Sequence, residues 1–223
     1  MAALARHSVR QPSLLVDLPD ALRHRGKSAL DLQQPWWPYS AARTVAARLS
    51  DSPKRVFEFG AGGSTIWLSA LGAHITSVEH DSAWYGQIRP ALPSTVRLIL
   101  AEPAKTGSIA SDAASGYFDD YVSCIDDIEN LSLDLVVVDG RARVASALAA
   151  IPKVRPGGML LLDDSDRPRY GEAHRRLSAW PHDVIRGLKP GGGLTVFETT
   201  IWRRPSPRPR EDEHWSGGTK DTP

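Results

Sequence analysis

The hydrophobic pattern of this chain repeats short apolar runs, separated by longer segments that mix apolar and polar residues. Two of the runs, LDLVVVD and GMLLLD, are almost continuously apolar, which is typical of parallel strands buried on both faces of a sheet. The pattern predicts seven strands: Arg55–Phe59, Ile75–Glu79, Val96–Leu100, Leu133–Asp139, Met159–Asp163, Asp183–Gly187 and Leu194–Trp202.

Segments with helical spacing precede the first strand and separate most of the others. The predicted helices are Ala41–Leu49, Ser64–Leu71, Ser82–Ala91, Tyr117–Glu129, Val144–Ile151 and Gly171–Ala179. Strands that alternate with helices through short links predict a doubly wound sheet. Only LKPGGG joins the last two strands, so we expect an antiparallel hairpin at the sheet edge. The predicted fold class is α/β, a Rossmann-like sheet of seven strands that is mostly parallel.

The chain divides into three regions by composition. Residues 1–33 predict a loosely ordered N-terminal arm with one short helical piece around Leu14–Leu22. Residues 34–202 carry the strand and helix pattern and form the predicted domain. Residues 203–223 mix prolines and charges, cannot bury much apolar surface, and are predicted to be disordered. Within the domain, the Gly-, Ser- and Ala-rich residues 101–120 predict a mobile flap.

Composition narrows the class of protein. The chain has 223 residues, a formal net charge of +1 and a single cysteine, Cys124. This charge balance gives no general attraction to nucleic acid or anionic membranes, and one cysteine excludes an internal disulfide framework. Neither a signal-peptide core nor an apolar run of about 20 residues is present. We therefore expect a cytoplasmic protein with a small-molecule substrate, no nucleic-acid or membrane partner, and an oligomeric state left open between monomer and homo-oligomer.

The most informative stretch is VFEFGAGGSTIWLSALGAHITSVEHD, residues 56–81. It predicts a strand, a glycine-rich turn, a helix and a second strand that ends in an acid. Glu58 stands just before the glycines, and Glu79 follows Gly60 by 19 positions. Glycines let the backbone approach a ligand closely, and an acid at the second strand's tip is placed to bind ribose hydroxyls. The stretch predicts a nucleoside site, the alternative being an ordinary tight turn.

Two residues favour a particular nucleoside. Thr65 occupies the position where the dinucleotide fingerprint G-x-G-x-x-G has its third glycine, which weighs against a nicotinamide or flavin enzyme. Glu58 would repel a pyrophosphate, whereas it suits a ligand that carries an ammonium group. S-adenosylmethionine has both an ammonium group and a ribose.

On these residues the chain resembles the class I S-adenosylmethionine-dependent methyltransferases. EFGAGGS corresponds to that family's acid-x-G-x-G-x-G loop, with Ser64 in place of the last glycine, and EHD corresponds to its ribose-binding acid motif. The resemblance implies that His80 lies against adenine. The cofactor-binding residues that it implies are Glu58, Phe59, Gly60, Ala61, Gly62, Ser64, Glu79, His80 and Asp139.

Acids at the ends of two further strands suggest chemistry. Asp139 ends VVVD, and Asp163 and Asp164 end MLLLDD, so the three carboxylates are expected at the same edge of the sheet. Oxygen ligands of this kind suit Mg²⁺. The arrangement resembles the metal-dependent small-molecule O-methyltransferases, which implies that these three residues hold the metal. The alternative is that the acids cap helices and pair with arginines.

The chain departs from that second resemblance at Ala142, where catechol-type enzymes have a lysine. Arg141 and Arg143 flank this position; an arginine cannot act as a base, but it can clamp an anionic substrate or pair with the acids. The predicted catalytic residues are Asp139, Asp164 and Arg143, with His174 as a further candidate base. Acceptor contacts are poorly marked, and the residues expected to face the substrate are Arg167, Arg169 and Tyr170. Trp36, Trp37 and Tyr39 are candidates for an aromatic wall over the cofactor, and Trp84 and Tyr85 for packing near adenine; the alternative for both groups is packing in the core.

The sequence thus predicts an S-adenosylmethionine-dependent methyltransferase that methylates a hydroxyl of a small molecule or sugar, with Mg²⁺ as a second cofactor if the acids bind metal. Two alternatives remain open. One is another transferase on the same scaffold, such as an aminopropyl transferase. The other is a non-catalytic module that binds S-adenosylmethionine.

Overall fold

The computed structural model describes residues 13–49, 54–111 and 114–207. Within these residues the strands are β1 (Arg55–Phe59), β2 (His74–Glu79), β3 (Val96–Leu100), β4 (Ala110–Ser111), β5 (Ala114–Tyr117), β6 (Leu133–Val138), β7 (Val154–Asp163), β8 (His182–Gly187) and β9 (Phe197–Arg203). The helices are α1 (Ser13–Arg23), α2 (Ala29–Leu32), α3 (Tyr39–Leu49), α4 (Gly63–Ala70), α5 (Ser82–Ile88), α6 (Asp119–Ser123), α7 (Arg143–Ala150) and α8 (Gly171–Arg176). Two short 3₁₀ helices span Arg89–Ala91 and Pro168–Tyr170.

Seven of the strands form one sheet in the order β3-β2-β1-β6-β7-β9-β8. Each strand of the series β3, β2, β1, β6, β7 pairs parallel with the next, and β9 pairs antiparallel with both β7 and β8. The predicted fold class is confirmed, including the antiparallel edge hairpin. Because the strand order reverses between β1 and β6, the loops that follow these two strands border a crevice at the carboxyl end of the sheet.

Alternate residues of the central strands enter two separate cores. Phe57 and Phe59 of β1 pack with Tyr121 and α7 on one face, whereas Val56 packs with Trp37 and α3 on the other. This alternation follows from the two-residue period of a strand. Both faces are apolar, which explains why the sequence of β6 and β7 is a continuous apolar run rather than an alternating one.

The segment before the domain packs onto it over its described part. Asp17 of α1 lies 2.8 Å from Arg43 of α3, and His24 Nδ1 lies 2.9 Å from the Tyr39 hydroxyl. Leu14 is buried against Tyr39 and Leu188. Residues 13–33 thus form part of the folded unit, and the predicted short helix is observed as α1. Residues 1–12 of the predicted arm lie outside the described residues.

The main differences from the predicted secondary structure are the helix predicted over 117–129 and the start of β7. The predicted helix Tyr117–Glu129 is replaced by the end of β5, the short α6 and a series of turns, because Asp119 accepts hydrogen bonds from the backbone N–H groups of Ser108 and Ile109 and so ties this segment to the preceding loop. The predicted flap contains the hairpin β4–β5. Strand β7 begins at Val154, earlier than expected, and continues through two glycines.

The predicted disordered tail lies mostly outside the described residues. Its first part is described, and there Arg204 donates hydrogen bonds to the carbonyl oxygens of Ile151 (2.7 Å) and Val154 (3.1 Å). Strand β9 ends at Arg203, one residue beyond the predicted boundary. Within the described part of the chain, no helix combines the length and apolar character needed to cross a membrane.

We expect Gly63→Ala to destabilise the fold, because a Cβ at this position would lie 2.3 Å from the carbonyl oxygen of Gln34 and 2.6 Å from that of Ala29. Overpacking of this kind costs about 1–3 kcal/mol. The matched control is Gly86→Ala in α5, where a Cβ meets nothing within 4 Å and alanine favours the helix. Urea denaturation measures both; equal effects would show that the segment around α2 does not pack on α4.

Candidate active site

A cavity of about 560 Å³, which we call the first cavity, lies at the carboxyl ends of the central strands. Its wall is made by the loops after β1, β2, β6 and β7, by the start of α2, by Trp36 and by Lys189. Most residues proposed from the sequence line it. These are Gly60, Ala61, Gly62, Ser64, Glu79, His80, Asp139, Arg143, Asp163 and Asp164. Glu58 and Phe59, also proposed, are buried behind the wall.

The glycine-rich turn after β1 is pressed against the loop after β6. Gly60 has φ +98°, and a Cβ there would lie 2.6 Å from the Cα of Gly140. Its N–H donates to the carbonyl of Val78 in β2 (2.9 Å). Only glycine satisfies both the positive φ and the close backbone approach. The turn is therefore fixed to both neighbouring strands, while its remaining backbone faces the first cavity.

Glu58 is fully buried, and three hydroxyl groups donate to its carboxylate. The donors are Ser64 (2.5 Å), Thr65 (2.5 Å) and Ser77 (2.9 Å). Burial raises the pKa of Glu58 to about 7, although the three hydroxyls oppose the shift. This geometry explains why Thr65 replaces a glycine, since its hydroxyl is a partner of Glu58 and also accepts from the N–H of Gly62 (2.9 Å).

Glu79 lies at the tip of β2 with its carboxylate at the cavity wall. One oxygen accepts from the backbone N–H groups of His80 and Asp81, both at 2.8 Å, and the other accepts from the N–H of Ala61 (3.2 Å). The side chain is only 3% exposed. All of these donors are backbone groups, so the position of the carboxylate is set by the ends of β1 and β2 and not by mobile side chains.

Aromatic groups border this part of the site. The indole N–H of Trp84 donates to the carbonyl of Ala61 (2.7 Å), which places the ring at the cavity wall. His80 Nδ1 lies 2.6 Å from a Glu79 oxygen, and the His80 ring packs 5.9 Å from Phe118. Flat apolar surfaces therefore lie beside the carboxylate, a combination that suits a base attached to a ribose.

In the loop after β6, Asp139 is held by two donors. The indole N–H of Trp37 donates to one carboxylate oxygen (3.1 Å), and Arg143 Nη2 donates to the other (2.9 Å). Burial raises the pKa of Asp139, and the nearby Arg143 opposes the shift. Trp37 itself is fully buried. Part of the aromatic segment QPWWPYS thus acts on the site through a hydrogen bond rather than as a wall.

Asp163 and Asp164 are also paired with cations. The Lys189 ammonium lies 3.7 Å from Asp163 and 3.3 Å from Asp164, and Arg167 pairs with Asp164. Asp163 also accepts from the hydroxyl of Thr199 (2.6 Å). Burial together with the neighbouring Asp139 holds the pKa of Asp163 well above its usual range.

The metal site predicted at Asp139, Asp163 and Asp164 does not fit this arrangement. Arg143 and Lys189 lie between the carboxylates, where a cation would have to sit. Among residues 13–49, 54–111 and 114–207, no group of three or more His, Cys, Asp or Glu side chains is arranged to hold a metal ion. The alternative considered from the sequence, Arg–Asp pairing, is the one observed.

Several groups of the site carry no signal in the sequence. Lys189 was missed because LKPGGG predicts only a turn, and Ser28 and Ala29 were missed because they lie in the N-terminal arm. His174, a candidate base, lies against Trp202 and contacts the carbonyl of Ser165 (2.9 Å), so it does not line the first cavity.

No protein-family model matches the sequence, and no curated protein matches it. A search of solved structures found a methyltransferase-like protein from Silicibacter pomeroyi with 23% identity, covering 79% of this chain and 93% of that one, at a TM-score of 0.49. It also found 1,6-didemethyltoxoflavin-N1-methyltransferase from Burkholderia thailandensis with bound S-adenosylhomocysteine (15% identity, coverage 92% and 89%, TM-score 0.47) and spermidine synthase from Thermotoga maritima (15%, 72% and 57%, 0.46). At these values we infer function from the residues of the site and not from the neighbours.

We expect Glu58 to make stability depend on pH. The unfolded chain loses this proton near the usual pKa of 4.5, whereas the folded protein keeps it up to about pH 7. Glu58 therefore lowers the free energy of unfolding as pH rises through this window, by up to about 1.4 kcal/mol per pH unit. Glu58→Gln has no such proton, and its amide still matches the three hydroxyls.

Urea denaturation of both proteins across this pH range checks the prediction, with Glu129→Gln at an exposed position as the control. Relative to the wild type, Glu58→Gln should gain stability from pH 5 to pH 7 and then remain constant. Parallel curves for the two proteins would show that Glu58 is ionised when folded.

We further expect that Mg²⁺ will not stabilise the protein, because it would have to displace Arg143 and Lys189 from the carboxylates. Thermal unfolding with MgCl₂, with EDTA, and with NaCl at matched ionic strength should give equal midpoints. A midpoint raised by Mg²⁺ alone, and lost in Asp163→Asn, would instead restore the metal site.

Proposed function

We propose that this protein is an S-adenosylmethionine-dependent methyltransferase acting on a hydroxyl group of a small molecule or sugar. The observation that carries the proposal is the position of Glu79, a rigidly held carboxylate that lines the first cavity beside the glycine-rich turn and accepts from the N–H of Ala61 in that turn. The two features are those that a nucleoside needs: acceptors for its ribose hydroxyls and space for close backbone approach.

The residues of the first cavity fit S-adenosylmethionine. Among the described residues, Oε2 of Glu79 accepts only from the N–H of Ala61 and keeps a lone pair for a ribose hydroxyl, whereas Oε1 already accepts from the N–H groups of His80 and Asp81. His80 and Trp84 border the place where a base would follow the ribose. Gly62, Gly63 and Ser64 would lie along the methionyl end. The volume of about 560 Å³ is in the range of small-molecule sites.

Glu58 supports this site indirectly. Its oxygens already accept from Ser64, Thr65 and Ser77, and its side chain does not reach the first cavity. We therefore assign it the role of fixing the turn that receives the cofactor. Phe59 has a comparable role, since its ring packs 5.6 Å from Tyr121 beneath the turn.

Asp139 is the group best placed to accept a proton from the acceptor. Its carboxylate lines the first cavity, and burial raises its pKa, which makes it a stronger base than an exposed aspartate. Trp37 and Arg143 hold it in one position. A hydroxyl needs such a base more than an amine does, which favours oxygen as the methylated atom.

Asp164 and Arg143, the other predicted catalytic residues, serve positioning in this proposal. Asp164 is neutralised by Arg143, Arg167 and Lys189, and this leaves it a poor base. When bound, S-adenosylmethionine supplies an electrophilic methyl group whose bond to sulfur breaks as the acceptor oxygen bonds to it. The remaining contribution of the protein is to hold donor and acceptor in line, which can lower a barrier by about 7–11 kcal/mol.

We expect Glu79→Ala to weaken binding of S-adenosylmethionine by at least about 1–3 kcal/mol, since it leaves the ribose hydroxyls without acceptors. Isothermal titration calorimetry with S-adenosylmethionine, S-adenosylhomocysteine and NAD measures the effect. Glu129→Ala, at an exposed position, is the matched control, and thermal unfolding checks that both variants fold.

The same titrations decide between the cofactor classes. Binding of NAD with no heat from either sulfur compound would contradict the proposal. Binding of S-adenosylmethionine without transfer of labelled methyl to any component of a metabolite extract would favour the non-catalytic module, and transfer of an aminopropyl group would favour the other transferase class.

A further inference from the structure

A second cavity, of about 430 Å³, adjoins the first. Gly140, Arg141 and Arg143, which follow β6, line both cavities. On its far side the second cavity is bordered by Ser108–Ser111 and by the turn that follows β7. The two cavities therefore adjoin at the loop after β6, and a molecule in one lies next to a molecule in the other.

The wall of the second cavity is strongly basic. Among the described residues, its lining includes four arginines, Arg141, Arg143, Arg167 and Arg169, and one acid, Glu172. Arg143 pairs with Asp139, and Arg167 pairs with Asp164. Arg169 lies over the ring of Tyr170 at 5.3 Å.

Arg141 differs from the others. Within the described residues its guanidinium makes no hydrogen bond or ion pair, and its Nε is buried. A guanidinium that is partly removed from water without a partner is unfavourable unless a ligand supplies the missing acceptors. Its planar fork of donors matches the geometry of a carboxylate or phosphate.

The backbone presents Arg141 at this wall. Ala142 has φ 46°, a left-handed conformation that residues other than glycine rarely adopt, and it follows directly on Arg141. The residues on either side of it, Arg141 and Arg143, consequently both line the two cavities. The guanidinium of Arg143 pairs with Asp139, whereas that of Arg141 has no partner among the described residues and is available to a ligand.

We propose that the second cavity is the acceptor site and that it takes a small molecule with an oxyanion, either a carboxylate or a phosphate, which Arg141 binds. The inference rests on the proposed methyltransferase function, because the acceptor must lie beside the cofactor. Because Arg141 lines both cavities, an anion bound to it lies where they adjoin, and the rest of the molecule can extend into the first cavity, which Asp139 lines.

The test uses benzoate and inorganic phosphate as probes, observed by saturation-transfer and ³¹P nuclear magnetic resonance on the full chain. The proteins are the wild type, Arg141→Gln, and the control Arg97→Gln, whose side chain is exposed and lines neither cavity. We expect at least one probe to bind the wild type and Arg97→Gln equally, and to bind Arg141→Gln about tenfold more weakly. The preferred probe identifies the oxyanion.

A second measurement does not depend on a variant that folds. Phenylglyoxal modifies unpaired guanidinium groups, and mass spectrometry locates the modified arginines. Benzoate or phosphate should protect Arg141 in the wild type, while the neutral analogue benzamide should not. Lack of protection by either anion would overturn the inference.

Titration of S-adenosylmethionine into the same three proteins separates the two proposals. If Arg141→Gln binds S-adenosylmethionine as the wild type does, the guanidinium does not serve the cofactor, as we expect. Equal weakening for the cofactor and the probes would assign Arg141 to the cofactor carboxylate and overturn the inference. Displacement of the probes by a short RNA but not by small anions would overturn it as well. Failure of the wild type to bind the cofactor while the probes bind would count against the methyltransferase proposal alone.

Discussion

The buried guanidinium of Arg143 holds the two central loops of the site together. Its Nε donates to the carbonyl of Gly140 (3.1 Å), its Nη2 to the carboxylate of Asp139 (2.9 Å), and its Nη1 to the carbonyl of Asp163 (2.5 Å). A charge placed so deep is stable only because so many oxygens accept from it. The loops after β6 and β7 are consequently tied to each other where they border the first cavity.

The same guanidinium decides the electrostatics of the site. Three carboxylates, on Asp139, Asp163 and Asp164, end neighbouring strands, and like charges so close would otherwise repel. Arg143 and Lys189 offset them from inside the protein. The site is therefore a balanced ionic network rather than a set of free oxygen ligands. The guanidinium of Arg141 makes no hydrogen bond or ion pair with the part of the chain that the structure describes, and it lines both cavities.

Local sequence predicted the features that depend on near neighbours in the chain. The apolar runs gave the strands of the main sheet, and the edge hairpin followed from the short LKPGGG link. The glycine-rich turn and Glu79 were placed at one cavity for the same reason, since strand, turn and next strand are consecutive. The helix predicted over 117–129 was wrong beyond the short α6. Asp119 accepts a hydrogen bond from Ser108, and the hydrophobic periodicity of 117–129 carries no information about that loop.

The sequence by itself determined the succession of strands and helices along the chain and the residue types at the end of each strand, because periodicity and turn chemistry are local. Tertiary structure alone decided the partners of those residues. Nothing near Asp139 in the chain indicates that Trp37 would donate to it, and nothing near Asp164 indicates Lys189. Whether an acid at a strand end binds metal, accepts a proton or pairs with a cation depends on groups brought close by folding, since electrostatic energy depends on distance in space and not on separation along the chain.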